Sequence, residues 1–371
     1  MAGGTIEART ETVELLAFLS DPASYPGEHG PVERIETHMA YVFLTDRFAW
    51  KLKKRVRYAF LDFSTEPLRR AVCEAEVRLN RRLAPDTYIG VVPVVRDAAG
   101  KLHMGDGASS AAVDWLVQMK RLPRDRMLDH VIRSGGPTKA DIAALGDLLV
   151  RFYDAAPVEE LTPDTYIRQL TANIREDIGE LTGRADHLPF ELIRATGRAL
   201  RKTMVRGADM FRARALAHRI VEAHGDLRPE HVCLTDPPVI IDCLEFRRDF
   251  RLLDPVDELA FLGMECERLG APWIGRTLLQ HYRDATGDDA PAALIDFYAA
   301  MRATLRAKLA IWHVQNGDPD AADHWTAASH EYLSLAARHA GLPMPPAAPV
   351  HHAAASTTAD VAIDAAPHRR V

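Results

Sequence analysis

The chain has 371 residues, enough for two lobes with a sizeable buried core. It is 47% hydrophobic and 26% charged, with net charge −6 and a pI near 6.2, which argues against a basic nucleic-acid binder. Cys73, Cys233, Cys243 and Cys266 form neither a C-x-x-C pair nor a Cys/His zinc spacing, and the N-terminal MAGGTIEARTETVELL carries charges where a secretory signal needs an apolar centre. No apolar stretch reaches the roughly 18 residues of a membrane span. The expectation is a soluble cytoplasmic chain with reduced thiols and neither nucleic-acid nor membrane partners.

In chain order, Glu11 to Leu19 reads as a short helix, followed by a Pro/Gly loop. Val42–Leu44 and Phe48–Trp50 flank Thr45-Asp46-Arg47 and predict two strands joined by a tight turn. Leu68 to Leu83 places Val72, Val77, Leu79 and Leu83 on one helical face. Gly90–Val95 is a strand signal, a Gly/Asp-rich turn region follows at 97–109, and Val113–Met119 is another strand ended by Leu122-Pro123. From about 124 the pattern is helical. Helices open at Thr138-Lys-Ala-Asp141 and at Thr162-Pro163-Asp164, and continue over Tyr166–Leu181 and Phe190–Arg206. Two short strands, His231–Leu234 and Val239–Leu244, are joined by Thr235-Asp236-Pro237-Pro238, and helices resume from Asp257 to about Ala340. The tail 343–371, rich in Ala, Pro and His, reads as disordered. The fold class is α+β: a β-rich piece with one helix over 1–119, then a mostly helical piece over 120–342.

The strongest chemical signal is HGDLRPEH, His224 to His231. Asp226 sits in a polar turn, read as lying between a helix ending near Ala223 and the strand from His231. Sixteen residues on, VIIDCLEF carries Asp242 inside an apolar strand, where a carboxylate is costly unless paired or bound to a cation. A hairpin bringing Asp226 and Asp242 together suits phosphoryl transfer. That reaction needs one carboxylate to orient a hydroxyl and others to hold Mg²⁺ against a triphosphate.

The run resembles the protein-kinase catalytic loop H-R-D-L-x-x-x-N. With Gly in second place it resembles the aminoglycoside phosphotransferase group, whose loop is H-G-D-x-x-x-x-N followed by I-D-[FW]. The resemblance implies a bilobal protein-kinase-like fold, Asp226 as catalytic base and Asp242 as the metal-binding acid. His231 stands where a second metal-binding Asn is expected; imidazole suits Mg²⁺ poorly, and the alternative is a hydrogen bond from His231 to Asp226 or a phosphate. Asp254-Pro-Val-Asp257-Glu258-Leu-Ala260 matches the group's D-P-x-x-D-L-A; Asp254 is expected to bond the loop amides, and Asp257 reads as an acid at a helix start.

Phe48-Ala-Trp-Lys51 fits the V-A-I-K strand that carries the phosphate-binding lysine. Alternation puts Ala49 and Lys51 on one face. Lys53 shares that face and is the alternative. Glu76 is the expected partner, with Glu74 the alternative. Backbone groups near Gln118, Met119 and Lys120 are expected to meet adenine, though Met119 reads equally as core. Arg228, two residues after the base, is placed to touch the γ-phosphate. Acids within Arg175–Glu180 are expected to face the acceptor. Neither a G-x-G-x-x-G loop over 30–47 nor a Walker A run is present.

A closer resemblance covers nearly the whole chain. VFLTDRFAWKLKKRV, FLDFSTEPLRRAVCEAEVRLNRRLAP, HGDLRPEHVCL, IIDCLEF and DFRLLDPVDELAFL are similar to a bacterial family of aminoglycoside-phosphotransferase-like proteins. Histidine at the Asn position is common in that family. Some members carry a further P-loop ATPase domain, which is not expected here. The reading is phosphotransfer from ATP with Mg²⁺ to the hydroxyl of a small polar molecule. The alternative is a nucleotide-binding pseudokinase that regulates a partner. A protein kinase is disfavoured, because the short run from Asp242 to Asp254 leaves no room for an activation segment.

Overall fold

The computed structural model describes residues 3–58, 61–105, 112–184, 188–316 and 322–343. The tail expected over 343–371 lies, apart from its first residue, outside the described residues. The chain divides into two compact units. One comprises the described residues up to Pro123 together with Glu245–Arg247, and the other comprises the described residues of Arg124–Leu244 and those from Arg248 onward.

The first unit opens with α1 (Gly3–Ser20), then β1 (Glu33–Glu36), β2 (Ala40–Leu44) and β3 (Phe48–Lys53). A two-residue pair, β4 (Arg57–Tyr58) and β5 (Leu61–Asp62), leads to α2 (Glu66–Asn80). β6 (Tyr88–Arg96), β7 (Leu102–Met104) and β8 (Ala112–Lys120) complete the unit. The six long strands form one antiparallel sheet in the order β1-β2-β3-β8-β6-β7. Alternation sorts the two faces of β3. Trp50 and Leu52 pack with Leu15 and Leu19 of α1, while Lys51 and Lys53 turn to α2. A buried ion pair, Arg69 Nε to Asp114 Oδ1 at 2.8 Å, fixes α2 against β8, and Arg69 also donates to the Phe63 carbonyl at 3.0 Å.

The second unit is mainly helical: α3 (Leu128–Arg133), α4 (Lys139–Ala155), α5 (Pro163–Thr182), α6 (Phe190–Arg206) and α7 (Ala208–Leu216). Then come the short strands β9 (Val221–Glu222), β10 (Val232–Cys233), β11 (Val239–Ile240) and β12 (Leu252–Leu253). α8 (Pro255–Arg268), α9 (Pro272–Thr286), α10 (Ala292–Asn316) and α11 (Ala322–His339) follow. Thr138 and Asp141 form a reciprocal capping box at the start of α4, as the sequence suggests. No helix among the described residues is long and apolar enough to cross a membrane.

α8 and α9 cross backbone to backbone at Gly263 and Gly275. A Cβ on Gly275 would stand 2.5 Å from the Gly263 Cα. In Gly275→Ala the helix-propensity gain of about 1 kcal/mol is outweighed, because the obstruction is main chain and cannot rotate away. The expected net loss is ~1–2 kcal/mol in urea unfolding.

The end of α11 is held by His339, whose Nε2 lies 3.0 Å from Glu267 on α8 and whose Nδ1 lies 3.3 Å from Asp296 on α10. Burial opposes its charge, but the hydrogen bonds to Asp296 and Glu267 prevail and raise its pKa to about 9. A folded-state pKa above the unfolded one near 6.5 gives stabilisation that is complete below about pH 6.5 and lost as pH rises through about 9. Urea midpoints measured across that window fall more steeply for the wild type than for His339→Gln.

Candidate active site

The loop from His224 to His231 is built by the second unit. Asp226 follows the two-residue β9, paired with β12, and not a helix, because α7 already ends at Leu216. Gly225 has φ +93°, and a Cβ there would meet Leu244 Cδ1 at 3.0 Å and the Phe250 carbonyl at 3.2 Å. Both the left-handed backbone and the close packing therefore require glycine at the second motif position.

The loop amides end on one carboxylate. Glu258 Oε1 accepts from the Gly225 amide at 2.6 Å and the His224 amide at 3.1 Å, while Oε2 accepts from the Tyr153 hydroxyl at 3.0 Å. Glu258 is fully buried, and burial raises its pKa against the pull of those donors. This corrects the expectation for Asp254. That residue caps α8 by accepting from the Val256 amide and is gripped by Arg214 at 2.6 Å and 2.7 Å, so it is spent on the scaffold. The pattern D-P-x-x-D-L-A puts its second acid at Glu258 and not at Asp257, a signal the sequence reading passed over. Asp257 lies in the first turn of α8, buried in a two-pronged pair with Arg302 at 2.8 Å.

His224 ties the loop to the segment that carries Asp242. The Asp226 amide donates to its Nδ1 at 3.2 Å, so Nε2 bears the proton and donates to the Ile241 carbonyl at 2.9 Å. Burial, aided by the His231 ring, pushes the His224 pKa down to about 3 and keeps it neutral. The Leu244 amide returns to the His224 carbonyl at 3.1 Å, and the Ile241 amide to that of His231 at 2.9 Å. The strand expected over Val239–Leu244 therefore stops at Ile240: its next backbone groups bond this loop, and Asp242 turns the chain with φ +63°. His231 closes a short 3₁₀ turn, Pro229–His231, ahead of β10. It is not a strand residue as expected.

Asp226, Arg228, His231 and Asp242 gather here. Arg228 Nε donates to Asp226 Oδ2 at 3.0 Å, and its Nη2 lies 3.1 Å from His231 Nε2. His231 Nδ1 lies 2.8 Å from the Asp226 carbonyl. His231 Nε2 is 3.6 Å from Asp242 Oδ2, and Nδ1 is 3.7 Å from Asp226 Oδ2. Burial alone would raise the Asp226 pKa, but Arg228 and the neighbouring basic groups outweigh it and hold the carboxyl below its usual range. The Arg228 side chain is 3% exposed and turned onto Asp226 and His231.

Mg²⁺ accepts one or two carboxylates and completes its shell with phosphate oxygens and water. Asp242, with one fifth of its side chain exposed, fits that demand. His231 does not, since both ring nitrogens already have hydrogen-bond partners. No group of three or more His, Cys, Asp or Glu side chains among the described residues is arranged to hold a metal.

In the first unit Glu76 settles between two lysines. Lys51 Nζ is 3.1 Å from Oε1 and Lys53 Nζ is 2.5 Å from Oε2, with all three side chains buried. Glu74 is exposed and pairs with Arg70 one turn away. Lys53 is also bonded by Glu245, a partner the sequence reading did not anticipate. Burial works against the Lys53 charge, but Glu245 and Glu76 prevail and raise its pKa. Gln118 and Met119 lie in register with neighbours on both sides, and Lys120 gives its amide to the Thr87 carbonyl. Their backbone is thus engaged in the sheet, and Met119 is core. On α5, Glu176 and Asp177 pair with Lys308, and Glu180 accepts from Trp312.

No family model matches the chain. An uncharacterized protein of Mycobacterium tuberculosis (strain H37Rv) is 32% identical over 307 residues, 82% of this chain and 59% of its own. The chain thus spans about three fifths of the curated relatives it matches. Among solved structures, a choline/ethanolamine kinase family protein from Mesorhizobium loti is similar with TM-score 0.48 and 18% identity, over 89% of this chain and 98% of that one. The GDP complex of aminoglycoside 2'-phosphotransferase-IIIa is similar with TM-score 0.49 and 14% identity, over 86% and 98%.

Replacing Glu258 by Ala leaves two buried amides and a tyrosine hydroxyl without their acceptor. The expected loss is ~2–5 kcal/mol in urea unfolding, with faster hydrogen exchange at the Gly225 amide in conditions where the variant is folded.

Proposed function

We propose that the chain is a phosphotransferase that moves the γ-phosphate of ATP to a hydroxyl of a small polar molecule such as a sugar or aminocyclitol, in a reducing, cytoplasmic setting. The observation that carries this reading is the pair of carboxylates, Asp226 and Asp242, which lie 3.7 Å and 3.6 Å from the two ring nitrogens of His231. A loop that needed only to turn would not require a neutral buried histidine, a left-handed glycine and a buried glutamate to hold two acids together.

In this reading Asp226 is the catalytic residue. Ionised by Arg228 and its neighbours, it accepts a hydrogen bond from the acceptor hydroxyl and aims its oxygen at phosphorus. Its low pKa makes it a weak base, so it takes the proton late. The new O–P bond forms, the bond to ADP breaks with its electron pair leaving on ADP, and the proton passes to Asp226. Asp242 would hold Mg²⁺, which when bound neutralises charge on the triphosphate.

Lys51 is assigned to the phosphates and oriented by Glu76. Lys53, held by two carboxylates, is assigned to fixing Glu76 and Glu245. The base is assigned to the region of Ala49 and Gln118–Lys120, where Ala49 lies in register with Met119. The half-exposed Glu176 is the acid of α5 that an acceptor would meet. The engagement of His231 motivates a second reading, a nucleotide-binding pseudokinase that regulates a partner.

With Mg²⁺-ATP and a panel of sugars, aminocyclitols and aminoglycosides, the wild type releases ADP in an acceptor-dependent manner. Asp226→Ala lowers that rate by about 10²–10⁴-fold. Nucleotide binding without turnover on any acceptor, unchanged in Asp226→Ala, would establish the pseudokinase reading instead.

A further inference from the structure

The eighth position of the loop motif is the place of an asparagine whose side-chain oxygen takes a second Mg²⁺. Here it is His231, and the geometry accounts for each of its ring nitrogens. The Asp226 carbonyl can only accept, so Nδ1, at 2.8 Å from it, carries a proton and donates. Nε2 then holds the ring's one lone pair. The donor-only Arg228 Nη2, 3.1 Å away, takes that lone pair. A doubly protonated ring would offer no lone pair either. A dication at Nε2 would have to displace a guanidinium that cannot lose its charge, is almost wholly buried and is also bonded to Asp226.

We infer that the site takes one divalent cation, at Asp242, and that the Arg228 guanidinium supplies the positive charge beside Asp226 that a second cation would otherwise bring. The inference rests on the phosphotransferase reading and deepens it. His231 and Arg228 are positioning residues: the histidine joins the Asp226 backbone to Arg228, and Arg228 holds the Asp226 carboxylate. The permanent charge of an arginine replaces one that would have to be recruited from solution with each nucleotide.

Mn²⁺ accepts nitrogen ligands more readily than Mg²⁺ and is therefore the more demanding probe. Mn²⁺ is titrated into the full chain with a β,γ-methylene analogue of ATP. Bound metal is counted by electron paramagnetic resonance, and spin-echo modulation reports directly bound ¹⁴N. The expected result is one Mn²⁺ per chain, with no ¹⁴N coupling that depends on His231. Arg228→Met, which uncovers Nε2, is expected to raise the count from one to two and to introduce imidazole ¹⁴N coupling. Two Mn²⁺ in the wild type, or ¹⁴N coupling that disappears in His231→Gln, would overturn the inference and leave the phosphotransferase reading standing. A count that stays at one in folded Arg228→Met would overturn the role given to Arg228. No binding of the metal–analogue pair by the wild type would remove both readings. The wild-type count is decisive even if a variant does not fold.

Discussion

The site hangs on a carboxylate that takes no part in the proposed chemistry. Glu258 reaches from α8 to the amides of His224 and Gly225 while Tyr153 of α4 closes its other oxygen. A buried carboxylate with too few donors would be a heavy liability, so its geometry leaves the loop little freedom. Gly225 must be left-handed for its amide to point there. His224 must then face Ile241, and Asp226 and Asp242 arrive on either side of His231.

Glu258 is one of several acids that α8 carries into the interior. Asp254 meets Arg214 of α7 and Tyr298 of α10, Asp257 meets Arg302 of α10, and Glu265 meets Arg306 of α10 and Tyr332 of α11. Each of these acids is at most 1% exposed. Such pairs add little net stability over well-packed apolar residues, but losing one partner strands a charge. Their contribution here is one of register. Each fork of arginine on carboxylate admits few relative positions of two helices, so α8 is set against its neighbours by direction-dependent bonds as well as by apolar packing.

Much of this was legible in the sequence, for identifiable reasons. Four of the six sheet strands, β2, β3, β6 and β8, and most long helices follow from periodicity and caps, as at Thr138 and Thr162, whereas β1 carries no strand signal and β7 falls in the stretch read as a turn region. Alternation along β3 puts Lys51 and Lys53 together, and the order of strand lysine, helix glutamate, strand and catalytic loop favours Glu76 over Glu74. What failed was mostly polar and non-local. VIIDCL reads as a strand because its residues are apolar, yet it leaves the ladder after Ile240 to bond a loop sixteen residues upstream of Asp242 in sequence. That Arg228 turns onto Asp226 and His231 within its own loop has no trace in the run HGDLRPEH. The acids of α8 carried a usable signal. Val256, Leu259, Phe261, Leu262 and Met264 surround them on every side, and a helix apolar all round is buried, so its acids must be partnered. Which arginines supply the partners is a tertiary fact with no local trace.

The three residues Glu245–Arg247 belong with the first unit although the chain on both sides of them belongs with the second. The first unit is therefore discontinuous in the gene, and its buried cation Lys53 depends on an acid encoded well over a hundred codons later. A recombination that exchanged the first 123 residues for those of a relative would bring in a new sheet and new lysines while keeping the old glutamate. Inheritance of the two units is in this way coupled through one carboxylate. Homologous halves can be traded without stranding that lysine only where residue 245 still matches the strand lysines it meets.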